Sequence, residues 1–137
     1  MMRRDKGQGL VEFAFAFPFV IMLIFGIIYC GIMFYDYASL SSIARSSTRE
    51  AAISQQSRPG KRYTELEERY KEEQKYLLTG LYERDGADYF KIEEDQHRYI
   101  TTTISMKLPN QTSYVMRLVL PDRYVVRYHM RKEFRQD

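Results

Sequence analysis

The sequence predicts an α+β protein: a long N-terminal helix that crosses a membrane, a second helix, and a three-stranded antiparallel β-meander. Three observations predict it. Phe13–Tyr35 is 23 consecutive residues without a charge, and a helix needs about 20 apolar residues to cross ~30 Å of hydrocarbon. Apolar residues then recur at helical spacing as far as Ala51. Beyond Tyr99 the spacing falls to two, the period of a half-buried strand.

Composition narrows the function. A chain of 137 residues accommodates one modest domain and an anchor. The 21 basic residues are balanced by 18 acidic ones, which argues against a nucleic-acid partner. Cys30 is the single cysteine, so no intramolecular disulfide forms and a cysteine-ligated zinc site is disfavoured. His97 and His129 lack metal-ligand spacing, and no GxGxxG, GxxxxGK[ST], GxSxG or HExxH occurs. The expectation is a structural protein rather than an enzyme, with no cofactor and no metal.

The first element is the anchor. Glu12 and Asp36 bound the apolar run. Before it stand Arg3, Arg4 and Lys6 against one acid, Asp5; after it no cation comes until Arg45. The positive-inside bias therefore places the N-terminus in the cytoplasm and the remainder outside, with Tyr29, Tyr35 and Tyr37 near the outer interface. A cleaved secretory signal has an apolar stretch of only about 7–15 residues and a small-residue site after it. Ala38-Ser39-Leu40-Ser41 imitates such a site poorly.

The junction before the anchor carries the most information. A short basic leader meets Gly7, and five residues later Glu12 stands at the start of the apolar helix. A carboxylate costs about 2.5–3.5 kcal/mol at the bilayer centre and less near the interface, and it calls for a partner. A cut after Gly7 would give Gln8 an α-amino group, largely cationic at neutral pH, about one turn from Glu12. Between neighbouring subunits such a pair would neutralise Glu12 and set their stagger. Gly9 is a second glycine, but a cut there leaves Glu12 only three residues in.

Gly7-Gln8-Gly9-Leu10-Val11-Glu12-Phe13-Ala14, with Pro18, Gly26, Gly31, Phe34, Leu40, Ala44-Arg45, Arg49 and Ala51-Ala52, resembles the TadE-like family over residues 6–53. These are minor pilins, or pseudopilins, of the tight-adherence (Flp, type IVb) pilus. The resemblance implies a basic leader, residues 1–7, removed by a prepilin peptidase between Gly7 and Gln8, with Glu12 as the assembly residue. It also implies partners: the peptidase, other pilin and minor pilin subunits, pilus assembly platform proteins and the lipid bilayer, with no nucleic acid. The location implied is the cytoplasmic membrane of a bacterium.

The helix is expected to run over residues 8–57, with the membrane span at about 13–35. Leu40, Ile43, Ala44, Ser47 and Ala51 form a narrow apolar stripe, and Arg45, Arg49 and Glu50 fall off it. Pro59-Gly60 should stop the helix. Pro18 removes one backbone hydrogen bond and disfavours a straight helix. Gly26, Cys30 and Gly31 are small enough to admit a neighbouring helix in lipid.

Residues 58–137 form the exported domain. Thr64-x-x-Glu67 reads as a capping box. Leu66, Tyr70, Leu77 and Leu81 give the apolar side of a helix over 64–81, with Glu65, Glu68, Arg69, Lys71 and Glu72 in solvent. Strands are expected at Tyr99–Leu108, Tyr114–Leu120 and Arg123–Met130, joined by Pro109–Thr112 and Pro121-Asp122. A long helix laid on a small antiparallel sheet is a pilin-like shape.

Two further clusters are weighed here. Glu93-Glu94-Asp95 with Asp85 and Asp88 does not fit an EF-hand loop and reads as a solvated acidic turn. His129 with Arg127, Arg131 and Lys132 reads as the charged face of an edge strand. The alternative to a pilus subunit is a membrane-anchored binding module whose exported domain works alone.

Overall fold

The structure, a computed structural model, describes residues 4–54 and 62–132, with residues 4–6 described by their backbone. Seven elements follow one another among the described residues. Helix α1 spans Arg4–Ile53 and α2 spans Thr64–Leu77. Strands β1 (Glu83–Arg84), β2 (Phe90–Glu94) and β3 (Tyr99–Lys107) come next, then a short helix α3 (Tyr114–Val119) and strand β4 (Arg123–Arg131). The class is the α+β one expected, with a long apolar N-terminal helix and an antiparallel sheet.

β3 is the spine of the sheet. β4 pairs along its whole length, from Tyr99↔Arg131 to Lys107↔Arg123. The opposite edge of β3 is shared by β2 (Phe90↔Ile104 to Glu94↔Ile100) and β1 (Glu83↔Lys107 and Arg84↔Met106). Between them Asp85–Tyr89 bulges outward, with Gly86 at φ +80. Backbone bonds from Asp85 N–H to the Ser105 carbonyl and from Ser105 N–H to the Tyr89 carbonyl close the bulge.

The sheet therefore has four strands, not three. Two were not anticipated, because β1 is two residues long and the apolar pattern of β2 is broken by a buried acid, Glu94. One expected strand, Tyr114–Leu120, is the helix α3 instead. Its alternation was incomplete, since Val115 and Val119 are apolar on the face that should have been polar. Short apolar runs do not distinguish strand from helix by periodicity.

The other two strands behave as their period dictates. In β3 and the residue after it, Ile100, Thr102, Ile104, Met106 and Leu108 are buried. In β4, Val126 is buried and Tyr124, Tyr128 and Met130 are half-buried, while Arg127, His129 and Arg131 are exposed. The inner face packs against both helices, α1 over β3 and β4, and α2 against α1 and β2. Leu40, Ile43, Ala44, Ser47 and Ala51 are all buried there, as the stripe required. The centre of the core is Phe90, Ile92, Ile100 and Ile104, all fully buried against Leu40 and Ala44.

α2 is shorter than expected and more polar within. Leu78 turns extended (φ −89, ψ 144) and Gly80 adopts φ +83, so the helix ends at Leu77 and Leu81 lies outside it. Its buried residues are Glu67, Tyr70 and Gln74, while Leu77 is exposed. The capping box does not form. Tyr63 occupies the cap position with no side-chain cap bond, and Glu67 is used elsewhere. The Arg58–Lys61 boundary, including Pro59-Gly60, lies outside the described residues; α1 ends at Ile53, with Ser54 N–H still bonded to the Glu50 carbonyl.

Candidate processing and assembly segment

α1 leaves the domain as a bare rod. Every residue from Gly7 to Phe25 is exposed, a length of about 28 Å at 1.5 Å per residue. It is the single described helix long and apolar enough to cross a membrane. Leu10, Phe13, Phe15 and Phe19 lie on more than one side of it, each 66% exposed or more. Leaving such side chains in water costs about 1.5–3 kcal/mol each, so this surface is covered by lipid or by other chains.

Gly7 and Gln8 sit at the free end of this rod. A Cβ placed on Gly7 or Gly9 would meet nothing within 4 Å, so the bond between Gly7 and Gln8 is unobstructed by the fold. Helix runs through it, from Arg4 onward. Two glycines within three residues weaken that helix by about 1 kcal/mol each relative to alanine, which eases the local unwinding any peptidase requires. Residues 1–3 of the basic leader lie outside the described residues.

Glu12 follows Gln8 by four residues, a rise of about 6 Å and a return to nearly the same face. It is exposed, and the domain does not reach it. A cation at position 8, on this helix or on a neighbour shifted along the axis, has open access to the carboxylate.

The candidate packing residues fall into two groups. Pro18 lies inside continuous helix and is exposed; it leaves the Ala14 carbonyl without its usual donor. Gly31 is exposed and has open space around it. Gly26 and Cys30 instead face the chain's own domain. A Cβ on Gly26 would lie 4.0 Å from Val119 Cγ1 of α3, and Cys30, with Tyr29 and Met33, is half-buried against the core. These small residues are occupied within the subunit.

The residue that sequence reasoning missed is Asp36. In the sequence it is only the charge that closes the apolar run. It is 1% exposed. Its carboxylate accepts the Thr79 backbone N–H at 3.0 Å and the Thr79 hydroxyl at 2.7 Å. This clamps the loop after α2 to the outer end of the anchor. The signal was present, since Asp36 stands four residues before Leu40 and so continues the buried stripe by one turn.

Three more polar contacts lock the domain onto α1 or close it around the sheet. The Thr48 hydroxyl meets Thr102 Oγ1 at 2.7 Å in the core. Glu50 pairs with Arg69 and accepts the Tyr70 hydroxyl at 2.7 Å; the Arg69 guanidinium holds its carboxyl below the usual range. Buried Glu67 receives Arg62 Nε and Nη2 at 3.1 and 2.8 Å and the Ile92 N–H at 2.8 Å.

The acids once grouped as a turn are dispersed. Asp88 pairs with Arg62, Asp85 with Arg123, and buried Glu94 accepts the Tyr63 hydroxyl with Lys132 nearby. No group of three or more possible metal-ligating side chains occurs among the described residues.

Comparison with known proteins bears on this segment alone. Residues 7–49 match a family model described as TadE-like protein. This segment is TadE-like. The match begins at the glycine of the candidate cut and runs through the anchor into the buried stripe, which agrees with the resemblance carried by Gly7, Glu12 and the residues after them. No curated protein and no solved structure matches the chain. The TadE-like segment thus spans both parts of α1, the bare end and the surface on which the domain packs.

Proposed function

We propose that this chain is a minor pilin, or pseudopilin, of a tight-adherence type IVb pilus. It is inserted with its N-terminus in the cytoplasm and cut by a prepilin peptidase between Gly7 and Gln8. The new α-amino group pairs with Glu12 of the same or an adjacent subunit. The chain is a structural subunit and a peptidase substrate rather than a catalyst, and its partners are other pilins and the assembly platform in the cytoplasmic membrane.

One observation carries this reading. The TadE-like match lies on a single helix that is uncovered from Gly7 to Phe25, with Gly7 near its tip and exposed Glu12 five residues further. The cost of leaving those apolar side chains in water requires company, and a charged partner for Glu12 favours protein company at that level.

Co-expression with a prepilin peptidase, followed by N-terminal sequencing, tests it. Gln8 should become the first residue. Gly7→Ala should block the cut, whereas Glu12→Ala should leave cleavage intact and reduce pilus assembly. Retention of Met1 while a control prepilin is processed in the same cells would reject the proposal.

A further inference from the structure

α3 is an oddity in the exported domain. It is six residues long, and its sequence, Tyr114-Val115-Met116-Arg117-Leu118-Val119, holds one charge. None of the six is buried. Tyr114 is 82% exposed, Leu118 69%, Val115 50% and Val119 40%. The single charge is turned back on the domain, with Arg117 Nη2 donating to the Asn110 carbonyl at 3.1 Å. Such an apolar surface does not belong in water, and its position says what covers it.

Val119 packs beside Gly26 of α1. Gly26 is ten residues, or about 15 Å, short of Asp36 along the helix axis. A hydrocarbon core of about 30 Å takes about 20 residues of α1. Begun at Leu10, it ends near Tyr29; begun at Phe13, it ends near Met33. In both cases the level of Gly26 lies about 5–10 Å inside the outer leaflet, the depth at which amphipathic interfacial helices bury their apolar face. α3 packs against α1 at the level of Gly26, next to the stretch Gly7–Phe25 that the domain leaves exposed.

We infer that α3 is a second membrane contact: Val115, Leu118 and Val119 insert among the acyl chains of the outer leaflet beside α1, with Tyr114 toward the headgroups and Arg117 held on the Asn110 carbonyl. This rests on the reading of α1 as a membrane span. It fixes the tilt of the domain over the bilayer, which a single helix does not, and it requires α3 to leave the lipid whenever the subunit is drawn outward.

The chain has no tryptophan, so a single introduced indole reports on its own site. The full chain is reconstituted in phosphatidylcholine vesicles with or without bromine on the acyl chains, as three separate variants. Leu118→Trp probes α3, Leu23→Trp the anchor, and Tyr76→Trp the solvent-facing side of α2, where the side chain is 81% exposed. Leu118→Trp should emit blue-shifted light and be quenched several-fold by brominated lipid, most by bromines near the headgroup end. Leu23→Trp should be quenched best by deep bromines, and Tyr76→Trp only by an aqueous quencher. Val115→Trp repeats the α3 measurement should Leu118→Trp fold poorly.

Emission from the α3 probes like that of Tyr76→Trp, with Leu23→Trp still quenched by lipid, would overturn the inference and leave the anchor standing. Blue-shifted emission that bromines do not touch would also overturn it, by showing that another protein surface, such as a second copy, covers α3. Loss of lipid quenching at Leu23→Trp would defeat the anchor and the inference together.

Discussion

Replacing Glu67 with glutamine separates two accounts of the start of α2. Thr64-x-x-Glu67 spells a capping box, in which Thr64 and Glu67 each satisfy a backbone donor and each substitution costs about 1 kcal/mol. In the folded chain the cap position falls on Tyr63 rather than Thr64 and carries no side-chain cap bond, and Glu67, 1% exposed, anchors Arg62 and the Ile92 N–H of β2. Glutamine at 67 keeps an acceptor for Ile92 but turns an amide donor toward Arg62 Nη2 and removes the charge. Breaking a buried pair costs about 3–5 kcal/mol. Arg62 is 35% exposed and regains some water, so the expected loss is roughly 2–4 kcal/mol. For a domain of this size that lowers the Tm by about 4–8 °C per kcal/mol. Thr64→Ala should change stability by less than about 0.5 kcal/mol. Thermal unfolding of the full chain in detergent, followed by the near-ultraviolet dichroism of its tyrosines, reads both. Equal losses of about 1 kcal/mol from the two substitutions would refute the reasoning and restore the capping box.

Other outcomes follow from the buried polar groups. Asp36→Ala should destabilise the domain by about 1–3 kcal/mol, because two bonds to a carboxylate are lost and exposed Thr79 recovers part of that in water; Asp36→Asn, which can still accept from the Thr79 N–H, should cost less. The same unfolding measurement checks the order, and an Asn variant weaker than the Ala variant would contradict it. Alkaline pH should unfold the domain. Burial pushes the Tyr82 phenol up to about 12, and burial likewise raises Tyr70, Tyr89 and Tyr124 above the ordinary tyrosine value. Groups raised in the folded state contribute stability that is complete below about pH 10 and is lost as pH climbs toward the folded values. Tyrosinate absorbance should therefore show a steep rise above pH 10 that coincides with unfolding; a single smooth titration near pH 10 would show that the buried rings are not shielded.

The anchor, the stripe that follows it and the two long strands were legible in the sequence, because each depends on a period that the chain repeats over many residues. Phe13–Tyr35 needs only length and apolarity, Leu40–Ala51 the helical spacing, and Ile100–Leu108 the alternation. The TadE-like signature is also local, a glycine, an acid and an apolar run in fixed order. Tertiary structure decided the rest, because partners distant along the chain set it. Glu94 hides β2 from a pattern search until Tyr63 is seen against it. Glu67 reads as a cap until Arg62 and Ile92 close around it, and Asp36 reads as the end of a membrane span until Thr79 arrives from the loop beyond α2. α3 is the sharpest case. Six residues with one charge suit a strand or a helix equally, and only its placement beside Gly26, at a depth set by the length of α1, gives its apolar face an environment.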